Sequence, residues 1–441
     1  MQFNAYSNYK NSGVEWLGEV PSHWQDYSYQ HLFKKKEIIN QTQEQLLSVY
    51  LDRGVIPYSE GGGLVHKPAD SLEKYQLVDI DDFVMNNQQA WRGSVGISAY
   101  RGIVSPAYLI FSINKDLANS KFLKYLLKDK SIVEQFMLAS MSVGTIQRQI
   151  KWHLLKNLHI NLPPIDEQNQ IADFLDNETA KIDNLIAKQE QLIVLLEEQR
   201  KSVISYAVTK GLDPNVPMKD SGVEWLGEVP EHWKVLQNRH SFNFSKGLNI
   251  TKENLQDTGI PCVSYGEVHS KLDLDFDPNL DDMKFVSENY LETNNNCLLN
   301  YGDFIFADTS EDFEGSGNFS YLNSTTPVFA GYHTVIARLK TAQNPRFFAY
   351  VFESDAHRKQ IQTQVKGIKV FSITQGMLKG IYSWIPPIDE QNKIVEYLDN
   401  ECQKIEQLKV KQKELINQLK EYRTSVISHA VTGKIDIRGL L

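Results

Sequence analysis

Ser12-Gly13-Val14-Glu15-Trp16-Leu17-Gly18-Glu19-Val20-Pro21 recurs as Ser221-Gly222-Val223-Glu224-Trp225-Leu226-Gly227-Glu228-Val229-Pro230, and His23-Trp24 recurs as His232-Trp233. Further along, Pro163-Pro164-Ile165-Asp166-Glu167-Gln168-Asn169 returns as Pro386-Pro387-Ile388-Asp389-Glu390-Gln391-Asn392, and Ser202-Val203-Ile204-Ser205 returns as Ser425-Val426-Ile427-Ser428. The first block repeats at an offset of 209 residues and the later ones at 223. Blocks of fixed length therefore alternate with a stretch that is 14 residues longer in its second copy. Repetition in fixed register marks a duplicated architecture, and it bounds the fold before any single element does.

The later block reads as a long helix. Neither 165–210 nor 388–432 contains Pro or Gly. Pro164 and Pro387 suit a helix start, where the missing N–H is not needed. Asp166, Glu167, Asp389 and Glu390 complement the positive end of the helix dipole. Gly211 and Gly433 suit the exit. Alternating steps of four and three from Ile171 pass through Leu175, Glu178, Ile182, Leu185, Gln189, Leu192, Leu196, Gln199, Val203 and Tyr206. From Ile394 the same steps pass through Leu398, Glu401, Ile405, Leu408, Gln412, Leu415, Leu419, Tyr422, Val426 and His429. Both are heptad seams and predict a coiled coil, with Gln189 and Gln412 at equivalent polar positions. Each helix would span roughly 65 Å at 1.5 Å per residue. The alternative is that each seam packs on its own globular domain.

Between the fixed blocks, 24–161 and 233–384 read as α/β. Phe83-Val84-Met85 and Phe304-Ile305-Phe306 look like buried strands, each preceded by an Asp and followed by Gly-Ser, at Gly93-Ser94 and Gly315-Ser316. Amphipathic helices are expected around 120–137 and 345–364. The chain thus divides into a lead-in segment with a first variable domain (1–162), a first long helix (163–211), a linker with a second variable domain (212–385), and a second long helix with a tail (386–441).

Bulk composition narrows the classes. No run of about twenty apolar residues exists to span a membrane, and the N-terminus lacks the pattern of a secretory signal. Cys262, Cys297 and Cys402 are widely spaced and odd in number, which reads as free thiols in a reducing cytoplasm rather than a zinc site. The net charge of −9 argues against nucleic acid, since phosphate contacts use Lys and Arg. That figure hides a polarised distribution: the first variable region is about +3 and the second about −3.

The order of variable domain, Pro-Pro-Ile-Asp-Glu-Gln, long helix, second variable domain and second helix resembles the specificity subunit of type I restriction-modification systems. So does the opening of each half, carried by Gly13, Trp16-Leu17-Gly18, Pro21 and Trp24 and their second copies. The resemblance covers nearly the whole chain. It implies two α/β target recognition domains separated by two long antiparallel helices in a coiled coil, with an internal pseudo-twofold repeat. Each domain would read one half of an asymmetric bipartite site in double-stranded DNA, and the helices would set the spacer. The subunit would carry no chemistry and no cofactor. It would dock two copies of an adenine-N6 methyltransferase subunit that uses S-adenosylmethionine, and through them a restriction subunit that uses ATP and Mg. Asp166, Glu167, Gln168, Asp389, Glu390 and Gln391 are the expected partner-binding residues.

Arg and Lys read guanine, and Asn and Gln read adenine, by paired hydrogen bonds in the major groove. The segment 86–94 offers these types densely, so Gln88, Gln89, Arg92 and Ser94 are DNA candidates, with Arg101 just beyond. Thr145 and Arg148 suit phosphate contact before a helix. In the second domain the corresponding loop, 308–315, is acidic. Tyr332, His333, Lys366 and Lys369 are the better candidates there. Weak DNA binding by the isolated chain is expected, with partners supplying affinity.

Catalytic signatures are missing. Asn161-Leu162-Pro163-Pro164-Ile165 has its Asn displaced and lacks the aromatic of an amino-methyltransferase motif, and no phosphate-binding P-loop occurs. Gly61-Gly62-Gly63 reads as a loop. Two rival readings stay open: a non-DNA coiled-coil scaffold, consistent with the acidic charge, and a fused enzyme, which would need a cofactor motif.

Overall fold

The computed structural model describes residues 3–51, 53–61, 67–143, 147–367 and 370–439, with the side chains at 142, 143 and 147 outside the description. The chain forms two units that are not contiguous in sequence. Unit 1 joins Met1–Glu190 to Glu414–Leu441, and unit 2 is Gln191–Lys413.

Unit 1 is built on an antiparallel sheet of β1 (Phe33–Lys36), β2 (Phe83–Asn86), β3 (Val95–Ile97) and β4 (Tyr108–Ile113), in the order β1-β4-β2-β3. Phe83, Val84 and Met85 are all buried, as expected for a strand covered on both faces. One face packs rings: Phe33, Phe83 and Phe111 lie 5.0–6.4 Å apart, with Phe136 6.3 Å from Phe83. Phe136 comes from α2 (Lys130–Leu138), which follows α1 (Ser120–Leu126). Asn119 caps α1 and Asp129 caps α2, each side chain accepting from first-turn N–H groups that the helix cannot satisfy itself.

Unit 2 repeats the plan. Its sheet comprises β5 (Phe242–Lys246), β6 (Asp275–Phe276), β7 (Phe304–Ala307), β8 (Phe319–Leu322) and β9 (Thr334–Leu339), in the order β5-β9-β7-β8-β6. The first four of that order match β1-β4-β2-β3. Most of the extra residues fall between β5 and β7. They add β6, parallel to β8, and strands of a second four-stranded sheet. Asn344 caps the helix Pro345–Glu353 as Asn119 caps α1.

The long helices are α3 (Ile165–Lys210) and α4 (Ile388–Val431), and each is divided between the units. Within unit 1 their segments run antiparallel. Asp183 pairs with Arg423 at 2.9 Å, while at the other end Trp24 meets both Glu167 and the Gly433 backbone. Unit 2 shows the same sense: Glu197 pairs with Lys409 at 2.8 Å, and Gly211 lies beside Glu390 and Trp233. No helix among the described residues is long and apolar enough to cross a membrane.

The seam departs from the expected one at every second position. Ile186, Ile193, Arg200 and Ala207 turn inward, whereas Leu185 and Leu192 are 44% and 39% exposed and Tyr206 is exposed. In the second helix Lys409, Ile416, Arg423 and Ala430 likewise replace Leu408, Leu415, Tyr422 and His429. The cause lies in the first turns. Ala172, Phe174 and Thr179 are buried beside Ile171 and Leu175, so each helix begins by packing a wide stripe on its own domain. The narrower seam starts only past Ile182, from the other flank. Both packing readings thus hold, on different stretches.

The chain ends meet inside unit 1. Asn4 bridges Asp436, whose N–H donates to the Asn4 carbonyl at 2.7 Å. The Lys434 ammonium donates to the Glu19 carbonyl at 2.7 Å, as Lys210 does to the Glu228 carbonyl at 2.5 Å in unit 2.

Candidate nucleic-acid interface

In unit 1 the candidate loop leaves the end of β2 and forms a 3-10 turn, Ala90–Arg92, anchored by buried Ala90. Gly93 closes it at φ 93°, a left-handed conformation that favours glycine. The Trp91 indole N–H donates to the Gln88 carbonyl at 3.0 Å and pins the loop on itself. The Arg92 guanidinium lies 4.5 Å from the Trp91 ring centre, and Arg148 approaches the same ring at 5.9 Å. Arg148 comes from a hairpin, Ser140–Val143 with Gln147–Ile150, which is tied to the loop by Ile150 N–H donating to the Asn87 carbonyl at 3.2 Å. Gln89 and Arg92 are exposed and Gln88 is half-buried. Neither guanidinium is ion-paired among the described residues. The result is an indole flanked by two unneutralised guanidinium groups with amide side chains beside them, a set able to hydrogen-bond base edges and phosphates.

Other unit 1 candidates fall away. Ser94 is buried and its hydroxyl donates to the Val49 carbonyl at 3.2 Å, so it faces the core rather than a ligand. Arg101 lies beyond the opposite end of β2 and β3 and is engaged by Glu44, at 2.8 Å, and Asp79. Thr145 lies outside the described residues.

Unit 2 presents a different surface at the same strand ends. After β7, Thr309–Ser310 pairs with Phe371–Ser372 and anchors the acidic loop. Tyr332 and His333 sit between Val328–Ala330 and β9. His333 takes φ 55°, and its Nδ1 lies 3.1 Å from Asp308. The Tyr265 ring packs edge-on against Tyr332 and His333 at 5.7 and 5.6 Å, and His269 reaches the Thr309 carbonyl at 2.6 Å. Burial raises the Tyr332 phenol above its ordinary pKa. Lys366 is exposed on the segment leading to Phe371–Ser372, and Lys369 lies outside the described residues. Sequence reasoning missed Trp91 as the centre of the first cluster, although a lone Trp in a polar loop is a signal. It also missed Tyr265 and His269, whose proximity to Tyr332 and Thr309 is purely tertiary.

The repeated acid-amide pairs are internal latches. Glu167 is buried and accepts from Tyr6 Oη at 2.7 Å and Trp24 Nε1 at 3.1 Å, with His23 Nε2 at 2.7 Å. Burial, with the Glu167 bond second, holds the Tyr6 phenol protonated well above its ordinary range. Gln168 is fully buried, accepts from Asn119 N–H at 2.8 Å, and donates to the Leu117 and Pro163 carbonyls. Glu390 takes His232 at 2.8 Å and Trp233 at 3.1 Å, and buried Gln391 accepts from Asn344 N–H at 3.0 Å. The expected partner-binding role is therefore corrected for the buried Glu167, Gln168 and Gln391, whose hydrogen bonds are internal, while Glu390 makes the matching bonds and stays partly exposed. Asp166 and Asp389 remain exposed.

A family model described as type I restriction modification DNA specificity domain matches this chain twice, over residues 21–194 and 230–418. The chain is 24% identical over 388 residues to the type I restriction enzyme MjaVIII specificity subunit of Methanocaldococcus jannaschii, covering 86% of this chain and 84% of that one. It is 23% identical over 396 residues to the EcoKI specificity subunit of Escherichia coli, covering 83% and 78%. Among solved structures, a chain from a study of complex assembly and conformational transition of the type I R-M system superposes with a TM-score of 0.68 at 15% identity, covering 94% and 99%. The HsdS subunit of Thermoanaerobacter tengcongensis superposes with a TM-score of 0.57 at 15% identity, covering 94% and 98%.

Proposed function

The chain belongs to the type I restriction modification DNA specificity domain family, and from that membership we infer that its two units divide one DNA target between them. Recognition of a DNA target for a type I restriction-modification system is the function; a scaffold that ignores DNA is not favoured. One observation carries the division of labour. Equivalent strand ends present a guanidinium–indole–amide surface in unit 1 and a tyrosine–histidine surface beside carboxylates in unit 2.

Arg92 and Arg148 suit guanine edges or phosphates, and Gln88 and Gln89 suit adenine. Tyr332 and His333 stand in unit 2 beside Asp308, whose carboxylate can accept from cytosine N4. Surfaces so different read different half-sites, so the target is asymmetric and bipartite, with a spacer set by the long helices. Partners are two methyltransferase subunits, bringing S-adenosylmethionine, and a restriction subunit bringing ATP and Mg, in the cytoplasm. The chain itself is non-catalytic. With burial of Glu167, Gln168 and Gln391, docking falls to exposed side chains such as Asp166 and Asp389. The isolated chain binds DNA weakly, because neither domain is strongly basic.

Methylome sequencing of a host making this chain with its methyltransferase subunit tests the reading. The expected result is methylated adenines in two unlike half-sites at fixed separation. A continuous or palindromic motif, or no new methylation, overturns it.

A further inference from the structure

Three exposed residues repeat between the two lead-in segments although nothing inside either unit requires them. Their exposed neighbours differ from copy to copy: Asn11, Ser22 and Gln25 stand where Asp220, Glu231 and Lys234 stand in the second half. In the same stretch Glu15, Trp16 and Glu19 are also exposed, yet they return unchanged as Glu224, Trp225 and Glu228. Trp16 is 45% exposed and Trp225 43%. An indole kept half in water in both units forgoes the burial that large aromatic side chains usually provide.

Internal causes account for the other exposed residues that repeat. Gly18 and Gly227 take φ 69° and 66°, where glycine is favoured. His23 and His232 reach the latch carboxylates Glu167 and Glu390. No such cause applies to the acidic residues. Among the described residues, the side chains of Glu15, Glu19, Glu224 and Glu228 form no hydrogen bond or ion pair. Only the main chain is used there, where Lys434 and Lys210 donate to the Glu19 and Glu228 carbonyls. The indoles, for their part, are anchored differently. Trp16 Nε1 donates to the Ser131 carbonyl on α2 at 2.9 Å, whereas the Trp225 ring has the Lys359 ammonium 5.9 Å from its centre, on the helix Asp355–Gln362. A residue kept while its inner contact changes is kept for its outer face.

The turn that presents the indole is closed by the same bonds in both units. Ser12 N–H donates to the Gly18 carbonyl at 2.9 Å and Leu17 N–H to the Val14 carbonyl at 3.1 Å. Ser221 N–H donates to the Gly227 carbonyl at 3.0 Å and Leu226 N–H to the Val223 carbonyl at 3.0 Å. Each unit thus offers a pre-formed indole with acidic residues on and beside its turn. Exposed aromatic side chains held in place are strong anchors at protein interfaces, because little freedom is lost on docking. The adjoining carboxylates repel phosphate, which excludes duplex DNA as the occupant. Two matching seats, one in each unit, call for a protein used in two copies. We propose that Trp16 and Trp225 each seat one methyltransferase subunit, in an apolar slot rimmed by Lys or Arg that pairs with the flanking carboxylates. The identity of this occupant rests on the partners named under the proposed function, where the methyltransferase subunit is the one present twice.

Mass photometry of the full chain titrated with its methyltransferase subunit tests the assignment. The wild type should take up two copies. Trp16→Ala and Trp225→Ala should each weaken one copy by about tenfold or more and spare the other, and the double variant should weaken both. Ser22→Glu, which copies Glu231 at an exposed position that differs between the halves, should bind as the wild type does. If a Trp variant lowers the melting temperature, Glu15→Lys combined with Glu19→Lys supplies the same comparison without touching the packed side of the ring, and should also weaken one copy. Variants that all bind two copies as tightly as the wild type would overturn the seat and leave the partner reading standing. So would variants that impair only the restriction subunit, or only association of the chain with itself. A wild-type chain that binds no methyltransferase subunit would overturn the partner reading, and the seat with it.

Discussion

The indole Nε1 of Trp24 donates to the carboxylate of Glu167 at 3.1 Å, across 143 residues of sequence. Tyr6 donates to the same carboxylate, so Glu167→Ala strands two buried donors at once. Each unsatisfied buried group costs about 1–3 kcal/mol, giving an expected loss of about 2–6 kcal/mol. Glu390→Ala should cost less, since its side chain is 28% exposed against 7% for Glu167 and, among the described residues, no tyrosine hydrogen-bonds to it. Urea unfolding midpoints of the two variants decide this; equal losses would contradict it.

His357 is fully buried, and among the described residues neither ring nitrogen has a hydrogen-bond partner. Burial, followed by nearby Arg358, pushes its pKa down to about 3 from 6.5. Between those values the unfolded chain binds a proton that the folded chain refuses. Stability is therefore complete above about pH 6.5 and is lost as pH falls, by about 1.4 kcal/mol per unit of pH. His357→Leu should flatten this dependence between pH 6.5 and 5, measured as the difference from the wild type in denaturant melts. Parallel pH profiles would refute the assignment.

Trp91→Ala and Arg148→Ala should each weaken specific DNA binding by the assembled complex by about 1–3 kcal/mol, or about 5- to 150-fold. Arg92→Ala should do the same and relax one half-site. Ser94→Ala and Arg101→Ala should leave affinity within about twofold. Tyr332→Ala should relax the other half-site only. Anisotropy titrations against duplexes altered in one half-site at a time separate these outcomes.

The bridge between Asn4 and Asp436 places the chain ends together. A circular permutant joining them through a short linker and opening within 212–216 should fold and direct methylation to the same target, since residues 212–215, where the new break falls, are exposed. A permutant that melts more than about 10 °C lower, or that shifts the methylated motif, would show that the natural ends hold something more than proximity.

Much of the architecture was legible because repetition supplies an internal comparison. Helices without Pro or Gly, recurring in one register, leave little alternative. The seam was half legible. Ile182, Gln189 and Leu196 were placed correctly, but Leu185 and Leu192 look as apolar as Ile186 and Ile193, and only the width of the stripe around Phe174 selects between them. For the site, residue type pointed to Gln89 and Arg92. Ser94 misled because its partner, Val49, lies on a strand 45 residues away. Glu167 and Gln168 misled for another reason: verbatim repetition marks any constraint shared by both halves, and here the constraint is an internal latch.

Unit 1 begins at the N-terminus yet needs Glu414–Leu441 to be whole. On the ribosome its recognition domain emerges first, and the core that holds Ile171 and Leu175 lacks Val426, Ala430 and Val431 until the last segment is made. Unit 2 is complete in one continuous stretch before then. A chain cut short near residue 413 would thus yield one finished unit and one open apolar seat, a product inviting aggregation or capture of a stray helix. Full-length synthesis is, in this protein, a quality check that the first domain performs on the last.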